Sequence, residues 1–393
     1  MSRLFILVIL LLATIGQFSS DIYIPSLPTM AHDFGVNLSK VQMSIFTFTI
    51  GFSVGAFIWG TLSDKYGRKI ILLSGLGLGI AGSILCSIAW SINVLLIGRL
   101  IQGIGLSVAG VTRAVMRDMI SDTRELAKLG SILGILYGLL VAFAPVIGGY
   151  IERYAFWRLS FILLTIYSIS LLSFCIFKLP ETNKKLQAIK MHQILGIYRE
   201  VITNKVFMMY TVMSGFALGG IIAYATISPY LLEVKLGMAP DVFGWTTLFT
   251  CAALMIGGFL NVKMVMHRGI NHMLKIGVII FIISGLTLVM CGLFNFINVW
   301  SILIPVALFF LGCGFVFANA NAGALTLFSD KAGTAGAVYA CMQMAGGALS
   351  SLLISSVKPN QIYLGAIYLI FGTISLWFIK RLQHSVFMSN SII

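Results

Sequence analysis

Residues 60–69 read GTLSDKYGRK, Gly60 to Lys69, and they lie between two long apolar runs. The spacing Gly-x-x-x-Asp-x-x-Gly-Arg-Lys sets an acid and a glycine ahead of two adjacent cations. Asp64 starts a tight basic turn, and Lys65, Arg68 and Lys69 complement the negative end of the preceding helix dipole. Gly60 is expected to let helices approach closely. Taken alone, such a turn fixes which side of a membrane the neighbouring spans end on.

Working outward, 59% of the chain is hydrophobic and only 10% is charged, too little polar surface for a soluble domain. A bilayer core asks for about 20 apolar residues per helical span. Runs of that kind recur at 4–28, 41–62, 70–90, 93–116, 128–150, 156–178, 206–232, 242–263, 272–292, 299–324, 334–356 and 361–380. The strands of a barrel would instead alternate apolar and polar over about 10 residues. The fold class is therefore an all-α membrane protein of twelve transmembrane helices.

The basic residues orient it. With the N-terminus inside, 19 of the 26 Lys and Arg fall on cytoplasmic segments, and only Lys40, Arg153, Arg158, Lys235 and Lys358 fall outside. This bias places both termini in the cytoplasm. The break at 179–205 separates a six-helix bundle, 1–178, from a second one with a short tail, 206–393. Within the break, Ile189, Leu195, Ile197 and Val201 keep helical spacing among basic residues. An amphipathic helix on the inner leaflet is expected there. The halves echo one another, QGIGLSVAG in span four against LGCGFVFAN in span ten. Paired repeats mark many transporters. The first 20 residues also resemble a signal peptide; without an Ala-x-Ala site, they are expected to stay as span one.

Other classes find little support. The net charge of +14 follows the membrane rather than a nucleic-acid-binding face. The six cysteines lie in apolar runs without metal or redox spacing, and the five histidines lie in loops or the tail. No Walker-type loop is present, so no ATP, metal or other cofactor is expected, and a membrane-embedded enzyme is the weak alternative.

The turn at Gly60–Lys69 matches, position by position, the signature loop of the major facilitator superfamily. In span four, Leu95, Arg99, Gln102, Gly103 and Gly105 match that superfamily's second motif. Pro145, Gly148 and Gly149 in span five resemble its antiporter motif, with Ala144 in place of the leading glycine. DIYIPSLP, RAVMRD, WRLSF and SPYLL together resemble the Bcr/CflA type of drug:proton antiporter. This resemblance implies two pseudo-symmetric bundles, alternating access, and Gly60, Asp64, Gly67, Arg68 and Lys69 as a gating loop. It also implies export of lipophilic drug-like compounds or metabolites from a bacterial inner membrane. A dedicated exporter of one metabolite, such as a siderophore, and a proton symporter for uptake are the alternatives. The expected partners are lipid, a small-molecule substrate and protons, with the protein acting as a monomer.

Of the twelve acidic residues only Asp21 lies within a span. Acids and Arg in a span are costly, so a functional role is the default for Asp21 and Arg99. Counting at 1.5 Å per residue sets both roughly 10 Å below the outer surface, so the two are expected to face one another if spans one and four touch. Burial penalises an ionised carboxyl and a guanidinium favours it. A change of access could thereby load or release a proton, making Asp21 and Arg99 the proton-coupling pair. Gln17, Tyr23, Arg113, Tyr137, Tyr224, Asn319, Asn321 and Gln343 are the candidate cavity residues, with Arg113 equally able to snorkel to the inner surface.

Overall fold

The computed structural model describes residues 3–120, 122–183 and 191–390. The chain is almost entirely helical there. The first span is broken: α1, Arg3–Asp21, gives way to a tight turn at Ile24–Ser26 and then to α2, Leu27–Asp33. Pro25 and Pro28 sit at that break. A proline has no backbone N–H to donate, so each removes a helical hydrogen bond and favours an interruption there.

Next come α3, Leu38–Tyr66, and α4, Arg68–Ser87. Span four is α5, Ile92–Leu106, and α6, Val111–Met119, joined by a tightened turn at Ser107–Gly110. Two long helices follow, α7, Thr123–Tyr154, and α8, Arg158–Lys178. A shorter one, α9, Met191–Thr203, occupies the expected connector, while residues 184–190 lie outside the described residues. The remainder is α10, Lys205–Pro229, with a wider turn at Tyr230–Val234; α11, Pro240–Arg268; α12, Ile270–Leu293; α13, Val299–Leu325; α14, Ala332–Ser355; and α15, Gln361–Asn390.

Among the described residues, 11 helical segments are long and apolar enough to cross a membrane. The 32-residue α7 occupies the place of the remaining span. Gly67 carries φ +100° between α3 and α4, and Gly269 carries φ +76° between α11 and α12. Both are conformations that side chains with a Cβ rarely adopt, so the short helix-to-helix reversals fall on glycine.

Contacts divide the chain into two compact units: Met1–Ile194 with Met238–Thr247, and Leu195–Gly237 with Leu248–Ile393. In the first unit α5 is sandwiched between α3 and α4. The sandwich is close: a Cβ on Gly103 would collide with the Phe48 carbonyl of α3. At the opposite end of this unit from the α3–α4 turn, Trp157 is 1% exposed and donates to Asp33 at 2.8 Å, while Arg158 donates to the Ala89 carbonyl at 3.0 Å. That pair makes the start of WRLSF a clasp between α2, the turn after α4 and the start of α8.

In the second unit α10 packs on α14, and α12 packs on α13 and α15. Its centre is an aromatic stack in which Phe281 and Phe309 lie 4.1 Å apart and Phe309 and Tyr368 lie 3.7 Å apart. The Tyr368 hydroxyl donates to the Gly220 carbonyl at 3.3 Å, which ties the stack to α10. The α9 helix is seated on this unit through the buried Val201 and a Glu200–Lys331 ion pair at 2.8 Å.

Candidate functional site

Asp21 is the last residue of α1, where the break begins. One helical turn earlier Gln17 donates from Nε2 to Asp21 Oδ2 at 3.0 Å, which orients the carboxyl group. Arg99, on α5, has 0% exposure. Its Nη1 donates to the Ser19 carbonyl at 3.1 Å and to Gln102 Oε1. Gln102 in turn donates to Ser83 Oγ on α4 at 2.7 Å, so one chain of hydrogen bonds runs from α1 through α5 to α4.

Aromatic rings cover the guanidinium. Its centre lies 4.3 Å from the Tyr23 ring, 4.1 Å from Phe48 and 5.9 Å from Phe161. A planar, weakly hydrated cation suits such a cage far better than an ammonium would. Tyr23 is itself held by a 2.9 Å hydrogen bond between its hydroxyl and Ser44. Among the described residues Arg99 Nε and Nη2 have no hydrogen-bond partner.

The expectation that Asp21 and Arg99 face one another needs correcting. α1 and α5 are in contact, yet no ion pair joins the two side chains. The guanidinium grips the backbone at Ser19 instead. Counting residues set the two at a matching level, as the Arg99–Ser19 contact has it, and left the rotation of each helix open.

The other candidates divide. Gln17 lies beside Asp21, whereas Tyr23, with 0% exposure, belongs to the Arg99 cage rather than to a cavity wall. Arg113 is exposed on α6, and the Tyr137 side chain lies outside the described residues. In the second unit Tyr224 is buried edge-on against Phe310. Asn319 is buried too, its amide donating to Asn261 at 2.6 Å and to the Phe315 carbonyl at 2.7 Å. Both therefore serve helix packing in this conformation rather than displaying polar atoms to a substrate. Asn321 is exposed, and Gln343 is half-buried, donating to Ser214 at 2.7 Å.

At the α3–α4 turn of the first unit Arg68 is 5% exposed. It pairs with Asp64 at 2.6 Å and Asp118 at 3.1 Å, and donates to Ser63 at 2.6 Å. Glu181 accepts from the backbone N–H of Arg68 at 2.9 Å and of Lys69 at 3.0 Å, which caps the start of α4. Lys69 reaches the Ile176 carbonyl at 2.9 Å. Burial works against ionisation of Glu181, but backbone N–H groups of Asn183, Arg68, Lys69 and Thr182 outweigh it and hold the carboxyl below its ordinary range. Gly60 does not provide a close approach: a Cβ there would meet open space.

Asp118 and Glu181 are the members of this network that sequence reasoning missed. It left both among the acids in loops or at span ends, Asp118 only as the last residue of RAVMRD. The usable signal was an acid directly after span six, LPET, and another closing RAVMRD.

Pro145 lies inside α7, and the glycines after it set contacts within the first unit. A Cβ on Gly148 would collide with the Ile22 carbonyl, one residue past Asp21, and one on Gly149 with the Pro240 carbonyl. The segment thus presses α7 against the backbone that carries Asp21. Among the described residues no group of three or more His, Cys, Asp or Glu is placed to hold a metal.

Comparison with known proteins gives a consistent answer. The family model described as Major Facilitator Superfamily matches residues 9–352. The "Bicyclomycin resistance protein homolog" of Haemophilus influenzae is 28% identical over 91% of this chain and 90% of its own. The "Multidrug resistance protein D" of Escherichia coli is 29% identical over 93% and 92%. The "Chloramphenicol resistance protein" of Pseudomonas aeruginosa is 25% identical over 91% and 84%. Among solved structures, a D-xylose-proton symporter superposes with a TM-score of 0.75 over 96% of this chain and 97% of its own. At 16% identity that likeness speaks to the fold alone.

Proposed function

The chain belongs to the Major Facilitator Superfamily, and from that premise we propose that it is a proton-coupled exporter of lipophilic drug-like compounds or metabolites. Three relatives that each align with at least 90% of this chain carry resistance or multidrug-resistance names, which supports export over uptake. The observation that carries the proton coupling is the placement of Asp21. It is the acid that the sequence sets away from the ends of a span, oriented by Gln17 and two residues from the carbonyl that Arg99 grips.

In this mechanism Asp21 takes a proton from outside, the carrier reorients, and substrate entering from inside favours proton release. Ionisation of Asp21 creates an acceptor close to the two unfilled guanidinium donors of Arg99. A small rotation of α1 would let the carboxylate take them up, moving the hold on α1 from the Ser19 carbonyl on Nη1 to Asp21 on Nε and Nη2. Loading of the proton thereby changes which part of α1 is held by α5. The proton gradient drives the cycle without ATP, in a bacterial inner membrane with both termini cytoplasmic, and the monomer suffices.

Expression in an efflux-deficient bacterium tests the reading, with wild type compared against Asp21→Asn across lipophilic cations, neutral antibiotics and siderophore-like acids. Wild type should raise resistance to at least one class and the variant should not. Equal sensitivity of wild type and empty vector to every class would remove the drug-export reading.

A further inference from the structure

The inner ends of the two units differ in a way that transport does not require. In the first, Asp64, Asp118 and Glu181 surround the basic turn at Gly67. The matching turn of the second is at Gly269, and the residue three before it, where Asp64 stands in the first, is Met266, 86% exposed. Counting three past the inner-end lysines, Glu181 follows Lys178 and Gln383 follows Lys380. After Asp241 the only acid in the chain is Asp330, whose side chain lies outside the described residues. Around Gly269 the cations remain, while Met266 and Gln383 stand where Asp64 and Glu181 stand in the first unit.

These cations share one surface. α12 and α15 run antiparallel, since Gly292 meets Ile362, Gly285 meets Gly365, and Gly372 meets Ile282. Continued at the same register, the start of α12 lies beside Lys380 and Arg381. Lys263, Arg268, His272, Lys275, Lys380 and Arg381 are all exposed. No ion pair among the described residues involves Lys263, Arg268, Lys275 or Lys380. Two of the cations lie over lipid-suited rings: Lys263 is 4.5 Å from the exposed Phe259 ring, and Arg381 is 4.5 Å from the exposed Trp377 ring. An aromatic ring beneath a cation at a helix end is the arrangement that settles at the headgroup level of a bilayer.

We propose that the inner end of the second unit, where α11, α12 and α15 terminate, binds the headgroups of anionic phospholipids. Charge complementarity selects this occupant: phosphate groups supply the negative charge that the corresponding end of the first unit draws from its own acids. The inference rests on the cytoplasmic placement of these helix ends given above. Each Lys or Arg at an anionic surface strengthens binding about fivefold.

The test reconstitutes the whole chain in phosphatidylcholine nanodiscs containing phosphatidylglycerol and counts the lipids retained on the protein by native mass spectrometry. Wild type should keep phosphatidylglycerol in preference to phosphatidylcholine. R268Q/K275Q/K380Q/R381Q should keep it several-fold less, while the outer-end variant K40Q/K235Q/K358Q behaves as wild type. Equal retention by the inner-end variant, or equal loss in the outer-end variant, overturns the proposal. Should the inner-end variant not fold, wild type alone decides: retention must fall steeply with added salt, and salt-insensitive retention overturns it. Retention is read without transport, so its failure leaves the exporter reading standing, and a failed export assay leaves this one standing.

Discussion

Arg99 holds the first helix through the Ser19 carbonyl, at 3.1 Å, two residues before the acid it was expected to pair with. A guanidinium with 0% exposure that binds backbone is an unusual use of a buried cation. It fixes α1 against α5 while leaving two donors unfilled. That combination makes the contact exchangeable, because a nearby carboxylate could satisfy donors that the carbonyl does not.

Arg99→Lys should fail to support transport although charge is kept. An ammonium cannot fill the space between Tyr23 and Phe48 or bridge Ser19 and Gln102 in one plane. Drug accumulation in cells, at matched membrane expression, checks this. Wild-type efflux by the lysine variant would show that charge alone is what the site uses.

Ser83→Ala removes the acceptor at the far end of the Gln102 link and leaves a buried amide donor unmet. The expected loss of stability is about 1–3 kcal/mol. Cys86, Cys175, Cys251 and Cys313 are buried, so labelling by a thiol-reactive dye beyond that of the half-buried Cys291 and Cys341 reads unfolding during heating. The variant should melt earlier than wild type, with transport reduced rather than abolished.

Gly148→Ala should be far more harmful than Gly138→Ala, though both change the same helix. At Gly148 the new methyl runs into the Ile22 carbonyl, while at Gly138 nothing lies within 4 Å. Replacing glycine by alanine in an unobstructed helix stabilises by roughly 0.5–1 kcal/mol. Melting temperature and efflux of the two variants, measured side by side, check the contrast.

Glu181→Gln should weaken the cap on α4 by about 1 kcal/mol at neutral pH. The folded carboxyl sits below its ordinary value of 4.5, so its contribution is complete above that value and is lost as pH falls through the lower, folded one. Acidification below the ordinary range should therefore bring wild type and variant together, whereas between neutral pH and that range the gap stays constant. Melting curves across pH show this directly.

Much of the fold was readable because membrane spans announce themselves by length and apolarity, and because Gly60–Lys69 marks one reversal by its spacing. That Asp21 and Arg99 lie at a common level along their helices was readable too, since each helical residue adds a fixed rise. Their mutual orientation was not. Each residue turns the helix by about 100°, so an uncertainty of two residues at a span end scrambles which way a side chain points. The break after Asp21 adds a further rotation that no periodicity encodes. The same limit explains why Tyr23 and Asn319 looked like cavity residues and lie buried in packing, and why Glu181 was passed over: its partners are backbone groups 112 and 113 residues away.

Proton movement in proteoliposomes tests the role of Asp21 most directly. With purified protein, an imposed pH gradient and a lumenal pH dye, an exported substrate should dissipate the gradient in wild type. Asp21→Asn should bind that substrate and move no protons. Substrate-driven proton flux at the wild-type rate in Asp21→Asn would contradict the assignment and require another carrier.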